Sequence, residues 1–416
     1  MMVIQGGRPL EGSVRAAGAK NAALPAIFAS LLTSEPVRLS RVPCLLDVET
    51  AVELVQALGK EVAWRGDELV IREAAPPPPE APEGPVRRMR ASFLVLGPLL
   101  ARLGEVRVPH PGGCAIGPRP VDLHLKGLAA LGAGVNAREG WVEARAARLH
   151  GATIYLDFPS VGATEQLLLA GALAEGRTVI LNPAREPEVV DLARLLSAMG
   201  AEVTWGEDRV EIRGQRSLAG ADWEVIPDRI EAGTYLLAGA ITRGRVRLEG
   251  VVSEHLAALL VKLTEAGLEV QRGETWVEVA APTRPRGIHL ETGPYPGFPT
   301  DLQPPMVSLL ALAQGESSVT ERVFTSRFGH VGELLRMGAR MRQGGTTLVI
   351  EGVEGLTGAR LRAPDIRAGA ALVLAGLAAQ GTTVVEGMEH LDRGYERLDE
   401  KLRSLGAQVW REENSR

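Results

Sequence analysis

Residues 191–205, DLARLLSAMGAEVTW, contain the end of a helix and the strand that follows it. The apolar side chains of this segment recur at the spacing of one helix face. Gly200 stands just past the last of them, where a residue with positive φ is favoured. Residues 202–205 then have the pattern of a β-strand. The segment therefore predicts a helix that turns directly into a strand.

The same apolar-glycine pair occurs six times along the chain. The glycines are separated by 73, 68, 67, 71 and 68 residues, a regularity typical of internal repeats. Each repeat contains strand, helix, strand, helix and strand, which predicts an α/β fold with internal symmetry, most simply with three repeats per domain. A solenoid is the alternative, although its repeats are usually about 20–50 residues long. The six pairs are Leu58-Gly59, Leu131-Gly132, Met199-Gly200, Ala266-Gly267, Met337-Gly338 and Leu405-Gly406.

Length and composition narrow the class of protein. A chain of 416 residues is too long for one ordinary core, so we expect two domains. The hydrophobic content of 45% and the charged content of 23% are typical of a globular protein. The net charge of −5 argues against an overall nucleic-acid-binding surface, so any anion must be bound by arginines gathered locally.

Cysteine usage and apolar runs indicate the compartment. The two cysteines are too few for a disulfide framework or a zinc site, which favours a reducing environment. The first ten residues lack the features of a secretion signal, and the apolar runs are shorter than the roughly 20 residues of a membrane span. We therefore expect a cytoplasmic protein without a membrane segment.

One loop presents a thiol. Residues 111–120, PGGCAIGPRP, cannot continue a helix or a strand, so Cys114 lies on a loop with Arg119 shortly after it. Positive charge and helix N-termini lower the pKa of a thiol from about 8.5, which suits a thiol that meets an anionic substrate. The alternative is a buried, inert cysteine, because free cysteine is among the most buried residue types.

Basic residues occupy corresponding positions in the repeats. Helix N-termini ordinarily favour acidic side chains, so basic residues there indicate an anion bound between them. The alternative is that each is a solvated surface side chain. These residues are Lys20, Arg90, Arg229 and Arg367 at the start of the first helix of a repeat, and Arg119, Arg327 and Arg393 at the start of the second, where the third repeat has Glu186.

A single carboxylate is placed among these basic residues. The proline- and glycine-rich segment 293–301 ends in Asp301. An aspartate surrounded by arginines stays ionised and can accept a proton from a bound hydroxyl. Alternatively, it caps the helix that begins there. The histidines show no metal-ligand spacing and no glycine-rich nucleotide motif is present, so we expect neither a metal nor a cofactor.

Several longer motifs together resemble one enzyme family. The chain resembles the UDP-N-acetylglucosamine 1-carboxyvinyltransferases, the enolpyruvyl transferases of peptidoglycan synthesis, from its first strand to its last helix. The motifs are GAKNAALP at 18–25, the Cys114 loop through His124, SVGAT at 160–164, PGFPTD at 296–301 and DRGYER at 392–397.

The resemblance implies a particular fold. It is a two-domain inside-out α/β barrel, in which each domain has three βαβαββ repeats with pseudo-threefold symmetry. The first domain would be 20–226 and carry the Cys114 loop. The second would be 1–19 plus 227–416 and carry Asp301.

The resemblance also implies a reaction. Phosphoenolpyruvate would give its enolpyruvyl group to the 3-hydroxyl of UDP-N-acetylglucosamine with release of phosphate, the first committed step of peptidoglycan synthesis. Cys114 would be the general acid and the site attacked by the antibiotic fosfomycin, and Asp301 would be the general base. No cofactor and no obligate protein partner are implied.

Further residues are implied to bind the substrates. Lys20, Arg119 and Arg393 would hold the phosphate of phosphoenolpyruvate, with Lys20 and Arg393 also counted as catalytic, and Arg327 and Arg367 would bind its carboxylate. Asn21 would also contact substrate. The nucleotide sugar is expected on Arg90, Arg119, Pro120, Val121, Asp122, Leu123, Ser160, Val161, Gly162, Asp301 and Val323.

Two positions depart from the family pattern, and two other functions remain open. Phe158 replaces a basic residue that some relatives place near the diphosphate, and Val323 is smaller than the expected isoleucine. The nearest alternative is 3-phosphoshikimate 1-carboxyvinyltransferase, which shares the fold and the donor but is disfavoured by the Pro-Gly-Gly-Cys loop. The other is a non-catalytic paralogue that binds the nucleotide sugar without turnover.

Overall fold

The computed structural model describes residues 1–112, 120–138 and 140–412. The strands are β1 Met2–Gln5, β2 Glu11–Arg15, β3 Val37–Ser40, β4 Lys60–Arg65, β5 Glu68–Glu73, β6 Glu105–Pro109, β7 Gly134–Arg138, β8 Trp141–Arg145, β9 Thr153–Tyr155, β10 Arg177–Leu181, β11 Glu202–Trp205, β12 Arg209–Arg213, β13 Ala221–Glu224, β14 Arg245–Glu249, β15 Glu269–Arg272, β16 Trp276–Ala280, β17 His289–Glu291, β18 Glu316–Thr320, β19 Arg340–Gly344, β20 Thr347–Glu351, β21 Arg360–Arg362, β22 Thr382–Glu386 and β23 Gln408–Arg411.

Helices alternate with these strands along the chain. The α-helices are α1 Lys20–Ala29, α2 Leu46–Ala57, α3 Glu83–Arg88, α4 Leu96–Leu103, α5 Asp122–Ala130, α6 Val161–Gly171, α7 Pro187–Ala198, α8 Arg229–Ile241, α9 Ala257–Glu265, α10 Gln303–Leu310, α11 Val331–Arg336, α12 Ile366–Ala378, α13 Met388–Leu391 and α14 Leu398–Ser404. Short 3₁₀-helices cover Ser30–Leu32, Arg90–Val95, Ser253–Leu256 and Thr300–Leu302. The predicted mixed α/β fold is confirmed.

The chain divides into two compact units. The first contains Met1–Ala17 together with the chain from Pro227 on, and the second contains the described residues between Gly18 and Ile226. Each unit has its own hydrophobic core. The first unit is therefore discontinuous in sequence, whereas all described residues of the second lie between Gly18 and Ile226.

Six sheets in the described part of the chain share one topology. In each complete sheet an edge strand runs parallel to its neighbour, and the remaining pairs are antiparallel. The three-stranded sheet β6-β8-β7 has only a parallel bridge, Glu80 to Arg107, at the place of the edge strand. The other orders are β13-β3-β5-β4, β9-β10-β12-β11, β2-β14-β16-β15, β17-β18-β20-β19 and β21-β22-β1-β23.

The chain passes from one unit to the other twice, after β2 and after β13, and these two edge strands differ from the others in how they connect to their partners. In three sheets the edge strand connects through a helix to its own parallel partner, as β9 connects through α6 to β10. At the passages the partner changes instead: β2 pairs with β14, and β13 pairs with β3. Strand β1 likewise lies between β22 and β23, so the first strand of the chain completes its last sheet.

Helices fill the interior of each unit. In the first unit α8, α10 and α12 contact one another, and every residue of α8 and α10 is buried. In the second unit α6 contacts α4 and α7, and α7 contacts α1. A helix that is apolar on all sides must be surrounded by other elements. Helices α8 and α10 are therefore enclosed by other elements of the first unit.

The six repeat glycines end six helices, as the sequence predicts. Glycines 59, 132, 200, 267, 338 and 406 have φ of 90°, 93°, 109°, 87°, 93° and 94°. They follow α2, α5, α7, α9, α11 and α14, and a strand comes next in every case. A side chain at φ near 90° would clash with its own backbone, which explains why glycine recurs at this position.

A search of the described helices for a membrane span found none of sufficient length and hydropathy.

Candidate active site

Asp301 lies in the first unit, beside two buried arginines. Its Oδ1 accepts a hydrogen bond from Nη1 of Arg327 at 2.7 Å, and its Oδ2 accepts one from Nε of Arg367 at 3.1 Å. Arg327 and Arg367 are 5% and 2% exposed, while a quarter of the Asp301 side chain, 24%, reaches solvent. The structure thus brings together three of the residues predicted to bind substrate.

The segment 293–299 delivers this carboxylate to the 3₁₀-helix Thr300–Leu302. Pro299 occupies the N-cap position, and no side chain caps this helix. The expected cap by Asp301 is therefore wrong for this helix. Each carboxylate oxygen accepts from an arginine. Charge-assisted hydrogen bonds of this kind fix a carboxylate more firmly than neutral ones do.

Both arginines keep donors that the described residues do not use. Nη1 of Arg367 and Nε of Arg327 are buried and make no hydrogen bond within the described chain. Buried donors are nearly always satisfied in folded proteins, so both guanidiniums have hydrogen-bonding capacity beyond Asp301. A carboxylate or phosphate oxygen is the acceptor that a guanidinium prefers.

Arg367 stays charged in this buried position. Burial by itself lowers the pKa of Arg367, but electrostatic interaction with Tyr395, Asp301 and Asp228 raises this pKa above its usual value. Its guanidinium also faces the ring of Tyr395, with 5.2 Å between the Cζ atom and the ring centroid. Arg367 begins the first turn of α12, whose N-cap Asp365 accepts from the backbone N–H of Arg367.

Glu321 organises the neighbouring loop, and the sequence prediction missed it. This carboxylate is 0% exposed. Its Oε1 accepts from Thr292 Oγ1 at 2.7 Å and from the backbone N–H groups of Val323 and Phe324 at 2.8 and 2.9 Å. Its Oε2 accepts from Thr300 Oγ1 at 2.9 Å. Nothing in the sequence distinguishes Glu321 from the other acidic residues, because its burial follows from long-range packing.

Arg327 and Arg393 do not start helices, contrary to the prediction. Arg327 lies four residues before α11, which begins at Val331, and Arg393 lies between α13 and α14. Arg393 is partly exposed, and its backbone N–H donates to the carbonyl of His390 at 3.3 Å. Both arginines therefore belong to loops, where side-chain direction is not set by a helix axis.

A buried histidine lies beside this cluster. His330, 1% exposed, precedes α11, and neither ring nitrogen has a hydrogen-bond partner among the described residues. Burial, with a smaller contribution from the charge of Arg327, lowers the pKa of His330 to about 3. The imidazole is therefore neutral at physiological pH.

In the second unit, Lys20 begins α1 and is nearly buried. Its Nζ donates to Oδ2 of Asp47, in the first turn of α2, at 3.2 Å. Lys20 and Asp47 are 8% and 4% exposed. Asn21 follows on α1 and is half-buried. Asp47 is a second residue that the sequence analysis did not single out.

Two of the segments expected to bind the nucleotide sugar meet in the second unit. Arg90 Nη2 donates to the carbonyl of Pro120 at 2.9 Å. Helices α5 and α6 approach so closely that a Cβ atom on Gly162 would lie 2.8 Å from Nε2 of His124. Ser160 caps α6, and its Oγ accepts from the N–H of Ala163 at 3.3 Å. The N-terminal ends of α5 and α6 therefore lie side by side.

The remaining predicted residues on these segments are accessible. Val121, Leu123, Val161 and Val323 are half-buried, and Asp122 is exposed in the first turn of α5. Phe158, the departure from the family pattern, is exposed.

Cys114 and Arg119 lie outside the described residues, so their predicted roles stay predictions. Cys44 is exposed. Within the described ranges, no group of three or more metal-ligating side chains is present.

Comparisons with known proteins place the chain in one family. Residues 4–402 match the family model described as EPSP synthase (3-phosphoshikimate 1-carboxyvinyltransferase). UDP-N-acetylglucosamine 1-carboxyvinyltransferase 2 of Carboxydothermus hydrogenoformans is 53% identical over 412 residues, which cover 98% of each chain. The UDP-N-acetylglucosamine 1-carboxyvinyltransferase of Shewanella amazonensis is 50% identical over 411 residues, again 98% of each chain. Among solved structures, the enolpyruvyl transferase NikO from Streptomyces tendae matches with a TM-score of 0.90 at 29% identity and covers 98% of each chain.

Proposed function

Because the chain belongs to the family of UDP-N-acetylglucosamine 1-carboxyvinyltransferases, we propose that it transfers the enolpyruvyl group of phosphoenolpyruvate to the 3-hydroxyl of UDP-N-acetylglucosamine and releases phosphate. The observation that carries the proposal is the sequence identity of 53% and 50% to two relatives with that name, over 98% of this chain. This reaction is the first committed step of peptidoglycan synthesis. We also propose a cytoplasmic location, which cysteine usage favours.

The reaction needs one acid and one base. A proton from Cys114 reaches the methylene carbon of phosphoenolpyruvate, and cationic character develops at its central carbon. The sugar 3-hydroxyl attacks that carbon while Asp301 takes the hydroxyl proton, giving a tetrahedral adduct. The thiolate of Cys114 then takes a proton back from the methyl group, the C–O bond to phosphate breaks, and the double bond is restored. General acid–base catalysis of this kind typically contributes about 10²–10⁴-fold.

The two buried arginines adjust the basicity of Asp301. As described, each oxygen of Asp301 accepts from one guanidinium, which stabilises the ionised carboxylate and weakens it as a base. In the proposal the carboxylate of phosphoenolpyruvate is a second anion on Arg327 and Arg367. Sharing the guanidiniums with a second anion strengthens Asp301 as a base only when the donor substrate is bound.

The phosphate and the nucleotide sugar have separate proposed sites. Lys20, Arg119 and Arg393 hold the phosphate of phosphoenolpyruvate, and Asn21 contacts substrate. The paired ends of α5 and α6 receive the nucleotide sugar, because helix N-termini present unpaired N–H groups to anions. Residues proposed to contact it are Arg90, Pro120, Val121, Asp122, Leu123, Ser160, Val161, Gly162 and Val323.

We also propose that each unit is an inside-out α/β barrel of three βαβαββ repeats with pseudo-threefold symmetry. The buried inner helices and the shared topology of the sheets support this description. The domains would be 20–226 and 1–19 plus 227–416.

A coupled phosphate-release assay tests the function. With phosphoenolpyruvate present, the wild-type protein is expected to release phosphate with UDP-N-acetylglucosamine but not with shikimate 3-phosphate. The opposite preference would identify a 3-phosphoshikimate 1-carboxyvinyltransferase. Binding of UDP-N-acetylglucosamine without phosphate release would identify a non-catalytic paralogue.

A further inference from the structure

A hydrogen-bond chain leads from Glu321 to Asp301. Thr300 Oγ1 donates to Glu321 Oε2 at 2.9 Å and accepts from Arg327 Nη1 at 3.1 Å. The same Nη1 atom donates to Asp301 Oδ1 at 2.7 Å. All four residues lie in the first unit, and they join the start of the 3₁₀-helix Thr300–Leu302 to the segment that follows β18.

Chemistry fixes the direction of this chain. An ionised carboxylate only accepts hydrogen bonds, and a guanidinium only donates them. The hydroxyl proton of Thr300 must therefore point to Glu321, which turns an oxygen lone pair of Thr300 toward Arg327. If the hydroxyl proton pointed at Arg327 instead, two donors would face each other and both the Arg327–Thr300 and the Thr300–Glu321 hydrogen bonds would be lost.

Glu321 is itself held rigidly. It is 0% exposed, and its second oxygen accepts three hydrogen bonds, from Thr292 Oγ1 and the N–H groups of Val323 and Phe324. A buried carboxylate with this many donors has a single stable orientation. Glu321 thus positions two parts of the site. One is the segment that contains Val323, a proposed sugar contact, and the other is the carboxylate of Asp301.

We propose that Glu321 and Thr300 are positioning residues for Asp301: through Arg327 they fix the carboxylate at the place where it meets the sugar hydroxyl. This role rests on the proposed function, in which Asp301 is the base. Proton transfer requires donor and acceptor within hydrogen-bond reach, so a small displacement of the carboxylate lowers kcat more than it weakens binding.

Thr300 offers the cleanest test, because its substitution interrupts the chain at Oε2 of Glu321, whereas the three hydrogen bonds of Oε1 to the loop do not involve Thr300. Thr300→Val is nearly isosteric and removes the hydroxyl, whereas Thr300→Ser keeps it. Thr347→Val is the matched control, since Thr347 pairs its hydroxyl with that of Thr320 at 2.9 Å in the adjoining sheet.

Glu321→Gln tests the direction of the chain. A glutamine oxygen can take over the three hydrogen bonds of Oε1, but its NH₂ group then faces Thr300 Oγ1. Two donors would meet there, so the threonine proton would have to turn away from residue 321. The substitution preserves volume and reverses one hydrogen bond.

The experiment measures kcat, both KM values and the thermal midpoint by phosphate release and calorimetry. For Thr300→Val we expect kcat to fall about 10-fold, with both KM values within about 2-fold of wild type, because one directed hydrogen bond is lost. Thr300→Ser should recover most of the rate, Glu321→Gln should lose less than Thr300→Val because Thr300 Oγ1 can still accept from Arg327, and Thr347→Val should match wild type.

Two results would overturn the proposal. One is an unchanged kcat in Thr300→Val. The other is a loss that Thr300→Ser does not restore and that raises both KM values and lowers the thermal midpoint equally, since that pattern belongs to a general structural role. A wild-type protein that releases no phosphate would instead refute the proposed function itself, and the positioning role would fall with it.

Discussion

Nε of Arg367 lies 3.1 Å from Oδ2 of Asp301, although the two residues are 66 positions apart in the chain. The pair joins the first turn of α12 to the short 3₁₀-helix before α10. Arg367 is almost fully buried, so its charge depends on this carboxylate and on the electrostatic interactions around it. Replacing the planar guanidinium of Arg367 therefore tests whether this side chain binds substrate.

Arg367→Lys should lower kcat/KM for phosphoenolpyruvate about 100-fold. A lysine ammonium cannot present two parallel donors to a carboxylate, so it cannot serve Asp301 and a substrate carboxylate together. Steady-state kinetics with saturating nucleotide sugar measure the loss. Arg360→Lys, in an exposed ion pair with Glu386, is the control and should change little. A change below 3-fold in Arg367→Lys would rule out the proposed contact.

Cys114 should be the site of fosfomycin inactivation. The epoxide needs a thiolate, and the basic residues expected around Cys114 favour that form. Peptide mass spectrometry should find the adduct on Cys114. Cys44 is the control for this assignment, because its thiol is exposed and could also react with the epoxide. Cys44→Ser should remain sensitive, and Cys114→Ala should lose turnover while still binding UDP-N-acetylglucosamine. An adduct on Cys44 would contradict this assignment.

Asp47→Asn should weaken phosphoenolpyruvate binding about 10-fold. Asp47 orients the ammonium of Lys20, and an amide attracts that charge less than a carboxylate does. The substitution should also lower the thermal midpoint, because breaking a buried ion pair on one side destabilises the fold. Titration calorimetry measures the affinity. Glu49→Gln, exposed on the same helix, should behave as wild type, and equal effects of both substitutions would exclude a specific role for Asp47.

His330 should make the protein less stable in acid. Its folded pKa of about 3 lies below the unfolded value of 6.5, so between these pH values the unfolded chain binds more protons than the folded one. Stability contributed by the neutral imidazole is thus complete above pH 6.5 and is lost as the pH falls toward 3, by about 1.4 kcal/mol per pH unit.

Urea unfolding at a series of pH values measures this dependence. His330→Phe, which carries no titratable nitrogen, should show a slope smaller by about 1.4 kcal/mol per pH unit between pH 6 and 4. His150→Gln, at an exposed histidine, should keep the wild-type slope. An unchanged slope in His330→Phe would show that His330 does not cause the acid sensitivity.

Local features of the fold could be predicted from the sequence, because they depend on neighbouring residues. The six helix ends follow from an apolar residue, a glycine and a strand pattern, and all six glycines have positive φ. The start of α1 at Lys20 and that of α8 at Arg229 were predicted for the same reason. The recurrence of charged residues at related positions also predicts Asp301, Arg327 and Arg367 as site residues.

Long-range pairing could not be predicted in this way. Glu321 and Asp47 are ordinary acidic residues in the sequence, and their roles arise only when distant elements bury them. The pairing of β2 with β14 and of β13 with β3 joins strands that are far apart in the sequence, so no local pattern indicates it. Arg393 has no helix to direct it, so its position in the repeat did not determine its local structure.

The position of β1 between β22 and β23 bears on how the protein is made. During translation β1 is synthesised long before its two partners, which follow it by more than 370 residues. The continuous stretch 18–226 contains all the strands of its own sheets and can fold while the ribosome is still working. The N-terminal strand must wait unpaired for the rest, which makes the discontinuous unit the slower of the two to form.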